Sequence, residues 1–241
     1  MGIADVIASC DVSMLYKFAK HSDASVRAMV ARRKDCPPDL LAQLAKDLNL
    51  YVKVEVAKRR DCPPELLAQL AEDEYIYVRT EVAANPSTPP EVLEKLVETG
   101  DPEVLCLVAK NPNTPKELQM KLLKSNIPSV KKYLALNPRQ VYEVHKALAR
   151  ESMRKGYNEV KTLLALNTPY QDVLFDLLSD KNDGVKKKIM WNPNSHPLFI
   201  VIAAMKLNSD LRAEEVVRLY NRNARTPRER RIIDVLIALL R

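Results

Sequence analysis

Hydrophobic residues along the chain fall into two alternating helical patterns. In the segment PPELLAQLAED, Leu66, Leu67 and Leu70 share one face of a helix, and in the next segment, VRTEVAAN, Val78 and Val82 do the same. Neither segment is long enough to be stable as an isolated helix. The pattern therefore predicts pairs of short helices that become stable when neighbouring pairs bury their apolar faces together.

This pairing of helices repeats along the chain with a fixed period. A valine, followed in most copies by a basic residue, recurs at a constant spacing, at Val26, Val52, Val78, Val104 and Val130. Val160 then follows after a longer interval, with the insertion near RESMRKGYNEV, and Val185 follows after a slightly shorter one. Internal periods of this length are typical of helical-repeat proteins. The sequence therefore predicts an all-α helical-repeat solenoid of about seven two-helix units, each of about 25–26 residues.

The predicted solenoid covers residues 1–197, with units that start near residues 10, 36, 62, 88, 114, 140 and 168. Residues 198–241 are predicted to form a basic C-terminal helical cap. In this cap the motif TPRE, from Thr226 to Glu229, is typical of a helix start, and an apolar helical face follows it. That last helix either closes the stack or pairs with a second copy of the chain, so the oligomeric state stays open.

Short polar motifs mark the expected ends of the helices. In the motif TPPE, Thr88 is predicted to cap a helix, and Glu91 is predicted to complete a capping box. Asn85 precedes a proline at the end of the preceding segment, where a residue in the left-handed conformation is expected to end the helix. Asn111 and Asn137 repeat this second motif.

Composition excludes most enzyme classes and a membrane-spanning protein. The 241 residues include only 4 glycines and 3 histidines, too few for glycine-rich phosphate loops or multi-histidine metal sites, and the histidines are expected at surface or cap positions. The longest apolar run, from Leu198 to Met205, is too short to cross a bilayer. The first residues lack the features of an export or lipidation signal. We therefore predict a soluble cytoplasmic protein without catalytic residues, bound metal, cofactor or membrane partner.

The net charge of +7 is unevenly distributed along the chain. Residues 1–180 carry 25 basic and 25 acidic side chains, whereas residues 181–241 carry 13 and 6. Residues 61–120 alone have a net charge of −8. This distribution disfavours a continuous basic track for nucleic acid and places the excess positive charge at the C-terminal end.

The amino-acid sequence of the repeats resembles that of a known family. Residues Val78–Val97 read VRTEVAANPSTPPEVLEKLV and follow the segment LAQLAED, which is similar to the leucine-rich repeat variant family, and the resemblance extends over most of residues 10–197. It implies a right-handed superhelix in which α-helices alternate with short 3₁₀ helices, and it implies no shared catalytic activity. A characterised bacterial relative holds a four-iron four-sulfur cluster in a separate N-terminal group of cysteines. This sequence has no such group, so no cofactor is predicted.

Three cysteines occupy equal positions in successive units. Cys10, Cys36 and Cys62 recur with the same spacing as the valines, at the position that holds Thr88 and Thr114 in later units. Neighbouring repeats are expected to lie too far apart for a disulfide, and the spacing matches no paired-cysteine metal motif. Two interpretations remain: small side chains that pack at a helix start, or thiols that a helix N-terminus makes acidic and reactive.

Basic residues replace the Asn-Pro motif in two early units. Arg33 and Arg59 stand where later units have asparagine, and Lys34 and Arg60 stand where they have proline. A departure from the local pattern without an evident structural gain suggests a function, and helix N-termini attract anions. We therefore hypothesise an anion-binding or partner-binding site formed by Arg32, Arg33, Lys34, Lys58, Arg59 and Arg60. The alternative is that these are solvated charges, partly paired with the aspartates that follow Arg33 and Arg59.

Two further sets of basic residues carry expectations of their own. A row of basic residues follows the repeated valines, and we expect its members to pair with acids of their own or the neighbouring unit rather than to form a phosphate track. The row consists of Arg27, Lys53, Arg79, Lys131, Lys161 and Lys186. The available acids are Asp47, Asp73 and Asp101. A second basic patch is predicted from Lys186, Lys187, Lys188, Arg228, Arg230 and Arg231. The alternative for this patch is a solvated face of the cap.

These patterns favour a non-catalytic scaffold that binds a macromolecular partner, preferably a protein, on its superhelical surface. The chain is similar to HEAT-like repeat proteins in general, most of which bind macromolecules and a few of which are DNA glycosylases. The first alternative is binding of the DNA or RNA backbone through the basic patches, with an affinity that falls steeply with salt. The second is a DNA glycosylase that uses Trp191 with Asp180 or Asp183, although packing against the cap is the favoured interpretation of Trp191.

Overall fold

The computed structural model describes residues 2–139, 141–207 and 213–226. These residues form 17 α-helices and no β-strand, which confirms the predicted all-α class. None of the described helices combines the length and the apolar character that a membrane crossing requires. The predicted last helix, after Thr226, lies outside the described residues.

The helices alternate between the first and the second helix of each repeat. The first helices are α2 (Val12–Phe18), α4 (Pro38–Leu44), α6 (Pro64–Leu70), α8 (Pro90–Glu98), α10 (Lys116–Leu123), α12 (Tyr142–Lys155), α14 (Gln171–Leu177) and α16 (Pro197–Lys206). The second helices are α1 (Ile3–Ser9), α3 (Ala24–Arg32), α5 (Leu50–Ala57), α7 (Ile76–Ala84), α9 (Pro102–Lys110), α11 (Pro128–Ala135), α13 (Asn158–Asn167), α15 (Asp183–Trp191) and α17 (Ala213–Asn223). Both kinds are α-helical throughout the described residues, so the expected alternation with 3₁₀ helices is wrong there.

The chain divides into two compact units, residues 1–118 and residues 119–241. In the first unit, the second helices α3, α5, α7 and α9 pack side by side, and the first helices α4, α6 and α8 pack against them. In the second unit, α11, α13 and α15 pack in the same way, α12 packs on α14, and α16 lies between α15 and α17. Each unit is therefore a stack of helix pairs. The predicted division into a solenoid (1–197) and a cap (198–241) stays a prediction.

The row of repeated valines lies in the interior of each stack. All seven are buried: Val26, Val52, Val78 and Val104 in the first unit, and Val130, Val160 and Val185 in the second. Leucines of the first helices, such as Leu67 and Leu93, complete the same core. Burying one such side chain contributes about 1.5–3 kcal/mol, so each added repeat stabilises its neighbour. The prediction that equal positions share one interior is confirmed within each unit.

The ends of the second helices differ from the predicted capping. No side chain caps α8, and the buried hydroxyl of Thr88 instead donates to the Val82 carbonyl, 2.6 Å away, at the end of α7. Asn85 has an extended backbone (φ −68°, ψ 123°) rather than the predicted left-handed one. The reason is its proline neighbour, because a residue before proline is pushed to extended conformations. Threonine therefore completes the preceding helix instead of starting the next one.

The insertion between Val130 and Val160 lengthens one first helix. With 14 residues, α12 is the longest of the described helices. It ends at Gly156, which has a left-handed backbone (φ 73°, ψ 26°) that glycine adopts without steric cost. The insertion thus adds helical turns that end with Arg154 and Lys155.

Candidate binding surfaces

A side chain at the end of several second helices bonds to the preceding repeat. The Asn85 amide nitrogen donates to the carbonyls of Ala57, at 2.6 Å, and Arg59, at 2.7 Å. Asn111 makes the same two bonds one repeat later. Carbonyls at helix ends lack a partner within their own helix, so one buried amide satisfies two of them. We call this set, Arg33, Arg59, Asn85 and Asn111, the donor row.

Arg59 and Arg33 belong to the donor row because they replace the amide with a guanidinium. Arg59 Nη1 donates to the Ala31 carbonyl, at 2.8 Å, and to the Arg33 carbonyl, and the Arg59 side chain is only 7% exposed. Arg33 donates in the same way to the carbonyls of Ile7 and Cys10. The premise that these arginines bring no structural gain is therefore wrong, since a guanidinium also has N–H groups for two carbonyls.

Neighbouring carboxylates pair with most of the cations of the hypothesised anion site. The ion pairs are Arg33–Asp35 (2.6 Å), Arg59–Asp61 (2.7 Å), Arg32–Glu55 (2.7 Å) and Lys58–Glu81 (3.7 Å). The hydrogen bond from Arg32 lowers the pKa of Glu55 below its usual range. Lys34 and Arg60 are exposed and form no ion pair with any described residue. Anion binding here stays a prediction, with these two side chains as the available cations.

The basic residues that follow the repeated valines are paired with acids, as predicted. The pairs are Arg27–Asp47, Lys53–Asp73 and Arg79–Asp101, each at 2.6 Å, and in the second unit Lys131–Glu151 at 2.6 Å and Lys161–Asp180 at 2.7 Å. Burial opposes the ionisation of Asp47, but its hydrogen bonds from Arg27 and from the Asn49 backbone outweigh burial and lower the pKa. These pairs join the second helix of one repeat to the next repeat, where the acid lies in the turn between helices except for Glu151, which lies within α12.

The cysteines are free thiols, as predicted from the expected distance between neighbouring repeats, which is too long for a disulfide. Burial raises the pKa of both Cys36 and Cys62 to about 11. This shift contradicts the interpretation of these two residues as acidic, reactive thiols. Cys106 is buried in the core of α9.

Only half of the second basic patch lies within the described residues. Lys186 is buried and pairs with Asp183 at 2.8 Å, whereas Lys187 and Lys188 are exposed. Arg228, Arg230 and Arg231 fall outside the part of the chain that the structure describes. The convergence of these six residues stays a prediction.

Trp191 contacts Arg222 of α17 but is still 49% exposed, so it is only partly packed against the cap region. The guanidinium carbon of Arg222 lies 5.7 Å from the centre of the Trp191 ring, and Arg222 Nη2 donates to the Trp191 carbonyl at 3.1 Å. The acids considered with Trp191 are paired with lysines, Asp180 with Lys161 and Asp183 with Lys186. In the described residues no group of three or more His, Cys, Asp or Glu side chains is placed to hold a metal ion.

One histidine departs from the expected surface or cap position. His196 does cap α16, where its Nδ1 accepts the Leu198 backbone N–H at 3.2 Å. His145 instead is buried, with Nδ1 at 3.0 Å from the Thr168 hydroxyl. Burial lowers the pKa of His145 to about 4. This imidazole is therefore neutral at physiological pH and belongs to the core.

Sequence reasoning missed an exposed apolar surface in the first unit. Tyr51 and Tyr77 are the second residues of α5 and α7, which pack side by side, and they are 67% and 62% exposed. Leu48, in the turn before α5, is 95% exposed. The ring of Tyr75 lies 5.2 Å from the ammonium of Lys53. We call Leu48, Tyr51, Tyr75 and Tyr77 the tyrosine surface.

The tyrosine surface is confined to two repeats. In the flanking repeats the position of Tyr51 and Tyr77 holds Ser25 and Glu103, which are polar. The sequence signal was therefore available, as a tyrosine at the same position in two successive repeats. This signal is weak beside the valine row and the charged positions, which dominate the period.

Comparison with known proteins identifies the repeat family in two stretches. The model of the Leucine Rich Repeat Variant domain matches residues 53–106, and the model of the leucine rich repeat variant matches residues 24–48. No curated protein matches the chain. The crystal structure of an engineered protein is 20% identical, covering 94% of this chain and 98% of its own, with a TM-score of 0.27, which is too low to inform the fold. Residues 24–48 and 53–106 are thus leucine-rich repeat variant repeats, as the wording of the sequence predicts.

Proposed function

We propose that the chain is a non-catalytic repeat scaffold that binds a protein partner through the tyrosine surface. The observation that carries this proposal is the exposure of Leu48, Tyr51 and Tyr77 to solvent on adjacent repeats. Exposed large apolar residues are unremarkable when scattered singly, but a cluster of them marks an interaction site. Tyrosine is also one of the residues that dominate binding energy in protein interfaces.

The scaffold beneath the tyrosine surface supports this role. Both tyrosines stand on short helices that are fixed by buried valines, Val52 under α5 and Val78 under α7. The backbone of such helices loses little freedom when a partner binds. The entropy cost of ordering the interface is therefore small, and more of the contact energy contributes to the binding free energy. The Lys53–Asp73 ion pair, beside the Tyr75 ring, ties the two repeats together at this surface.

Site-specific photo-crosslinking tests the proposal. A photoreactive phenylalanine analogue at Tyr51 or Tyr77 should capture a partner in the native cell extract that the same analogue at Met205 does not. Met205 is a matched control because it is also well exposed, at 64%, but lies in the other unit. The captured protein is then purified and its affinity for the wild-type chain is measured.

The double variant Tyr51→Ala/Tyr77→Ala should lower that affinity by about 30-fold, as expected for the loss of two central aromatic contacts. The control variant Met205→Ala should leave it within about twofold. The proposal is wrong if the tyrosine positions and Met205 capture the same proteins, or if the double variant binds the captured partner as tightly as the wild type.

A further inference from the structure

We propose that a groove in the second unit, between the turn after α10 and the last turns of α12, binds a compact ligand that carries two or more phosphate groups. The groove has a volume of about 640 Å³ and is open to solvent. Its charged lining residues are Lys124, Lys131, Arg150, Glu151, Arg154 and Lys155. Five cations and one carboxylate give this lining a net charge of +4. The inference does not rest on the tyrosine surface, which lies in the other unit.

The single carboxylate of the groove is shared by two lysines. Glu151 lies 2.6 Å from the ammonium of Lys131 and 2.9 Å from that of Lys155. Burial opposes its ionisation, but the hydrogen bonds from both lysines outweigh burial and keep its pKa below the usual range. Glu151 thus orders the two ammonium groups and leaves the floor of the groove net positive.

The remaining cations of the groove are available to a ligand. Arg150, Arg154 and Lys124 are exposed and form no ion pair with any described residue. Arg150 and Arg154 are one helical turn apart on α12, so they lie on the same helical face, where like charges repel. A polyanion would relieve this repulsion. Guanidinium groups also match phosphate oxygens geometrically, with two parallel N–H donors.

Equivalent grooves in other repeats show that this charge is local. Each is lined by a basic residue of the row that follows the repeated valines. The lining has a net charge of +2 at the groove of Arg27, +1 at that of Lys161 and −1 at that of Arg79. A nucleic-acid strand that follows successive repeats would need similar charge in adjacent grooves. The concentration of charge in one groove therefore favours a compact ligand over a polymer.

The insertion explains why this groove differs from the others. Lengthening α12 to 14 residues adds Arg154 and Lys155 to the lining, while the other first helices in the described residues are all shorter. The extra residues add two positive charges at the place where the insertion lengthens the repeat. The departure from the repeat thus coincides with the strongest local charge among these four grooves.

Calorimetric titration of the full chain with inorganic tripolyphosphate, at physiological ionic strength, tests the inference. Wild-type chain should bind one tripolyphosphate, and sulfate at equal ionic strength should not displace it. Arg150→Glu/Arg154→Glu should lower the affinity by a factor of about 100, as two charge-assisted contacts become repulsive. The matched control Lys17→Glu/Lys110→Glu changes the net charge equally on exposed residues of α2 and α9, outside the groove, and should stay within about twofold.

A second pair of variants guards against a folding defect. If the charge reversal alters the circular dichroism spectrum, Arg150→Gln/Arg154→Gln removes the same cations while keeping good helix formers, and the same weakening is expected. The inference is overturned if wild-type chain does not bind tripolyphosphate, or if the control pair weakens binding as much as the groove pair. It is also overturned if oligothymidylate binds more tightly than tripolyphosphate with an affinity that rises with strand length, since the ligand would then be a polymer.

Discussion

At the scale of single residues, one position in several repeats joins them to the preceding repeat through backbone carbonyls. Asn85 and Asn111 fill this position with an amide, and Arg33 and Arg59 fill it with a guanidinium. The two chemistries are interchangeable here because the requirement is two N–H donors in a buried place. The guanidinium leaves one of its own donors unsatisfied, since Arg59 Nε is buried without a hydrogen-bond partner among the described residues.

This equivalence leads to a prediction for Arg59. Arg59→Asn should keep the free energy of unfolding within about 1 kcal/mol of the wild type, because an amide can reach the same two carbonyls. Arg59→Leu should lower it by about 3 kcal/mol, because the carbonyls of Ala31 and Arg33 would be buried without donors. Urea denaturation monitored by circular dichroism measures both. Equal losses in the two variants would show that the arginine stem or its charge, and not the donor pair, matters at this position.

At the scale of the helices, α12 is the element that departs from the pattern of its neighbours. Its length brings Arg154 and Lys155 into the groove, and its end depends on the left-handed backbone of Gly156. A Cβ atom at this position would meet no other atom within 4 Å, so the restriction is one of backbone conformation alone. The same holds for Gly100, which has an equal φ of 73° after α8.

The helix end can be tested separately from the groove. Gly156→Ala should lower the free energy of unfolding by about 1–2 kcal/mol, the cost of a left-handed conformation for a residue with a side chain. Gly156→Asn should lower it less, because asparagine tolerates this conformation better. Thermal or urea unfolding of the two variants provides the comparison. An alanine variant as stable as the wild type would mean that α12 ends elsewhere in solution.

At the scale of the whole molecule, the sequence predicts the repeats better than it predicts their surfaces. The valine period predicts the helix pairs and the buried row in each unit, because the spacing of apolar side chains is visible in the sequence. It also predicts the Arg27–Asp47 type of pair, since both partners are visible as charged residues. Side-chain patterns therefore suffice for the core and for the ion pairs between repeats.

Other features cannot be predicted from the sequence, for a physical reason. The partners of Arg33 and Arg59 are backbone carbonyls, which every residue has, so no sequence signal identifies them. The groove brings Lys124 together with Arg150 and Arg154 only because α12 has its particular length and place in the stack. Spacing alone could not show that these cations share one cavity.

The repeat architecture requires equal positions of successive repeats to lie side by side within a unit. Excimer fluorescence of pyrene attached to introduced cysteines measures this directly in the first unit. Tyr51→Cys/Tyr77→Cys places the labels one repeat apart, and Ser25→Cys/Glu103→Cys places them three repeats apart at the same exposed position. Cys10→Ser removes the half-exposed native thiol, and burial protects Cys36, Cys62 and Cys106 from labelling.

Packed helices lie about 8–10 Å apart, so pyrenes at positions 51 and 77 can stack, whereas pyrenes separated by three repeats cannot. Stacked repeats should give a strong excimer band for the first pair and only monomer emission for the second. Monomer emission alone from the first pair, or equal excimer bands from both, would contradict the stacked repeats of the first unit and the tyrosine surface.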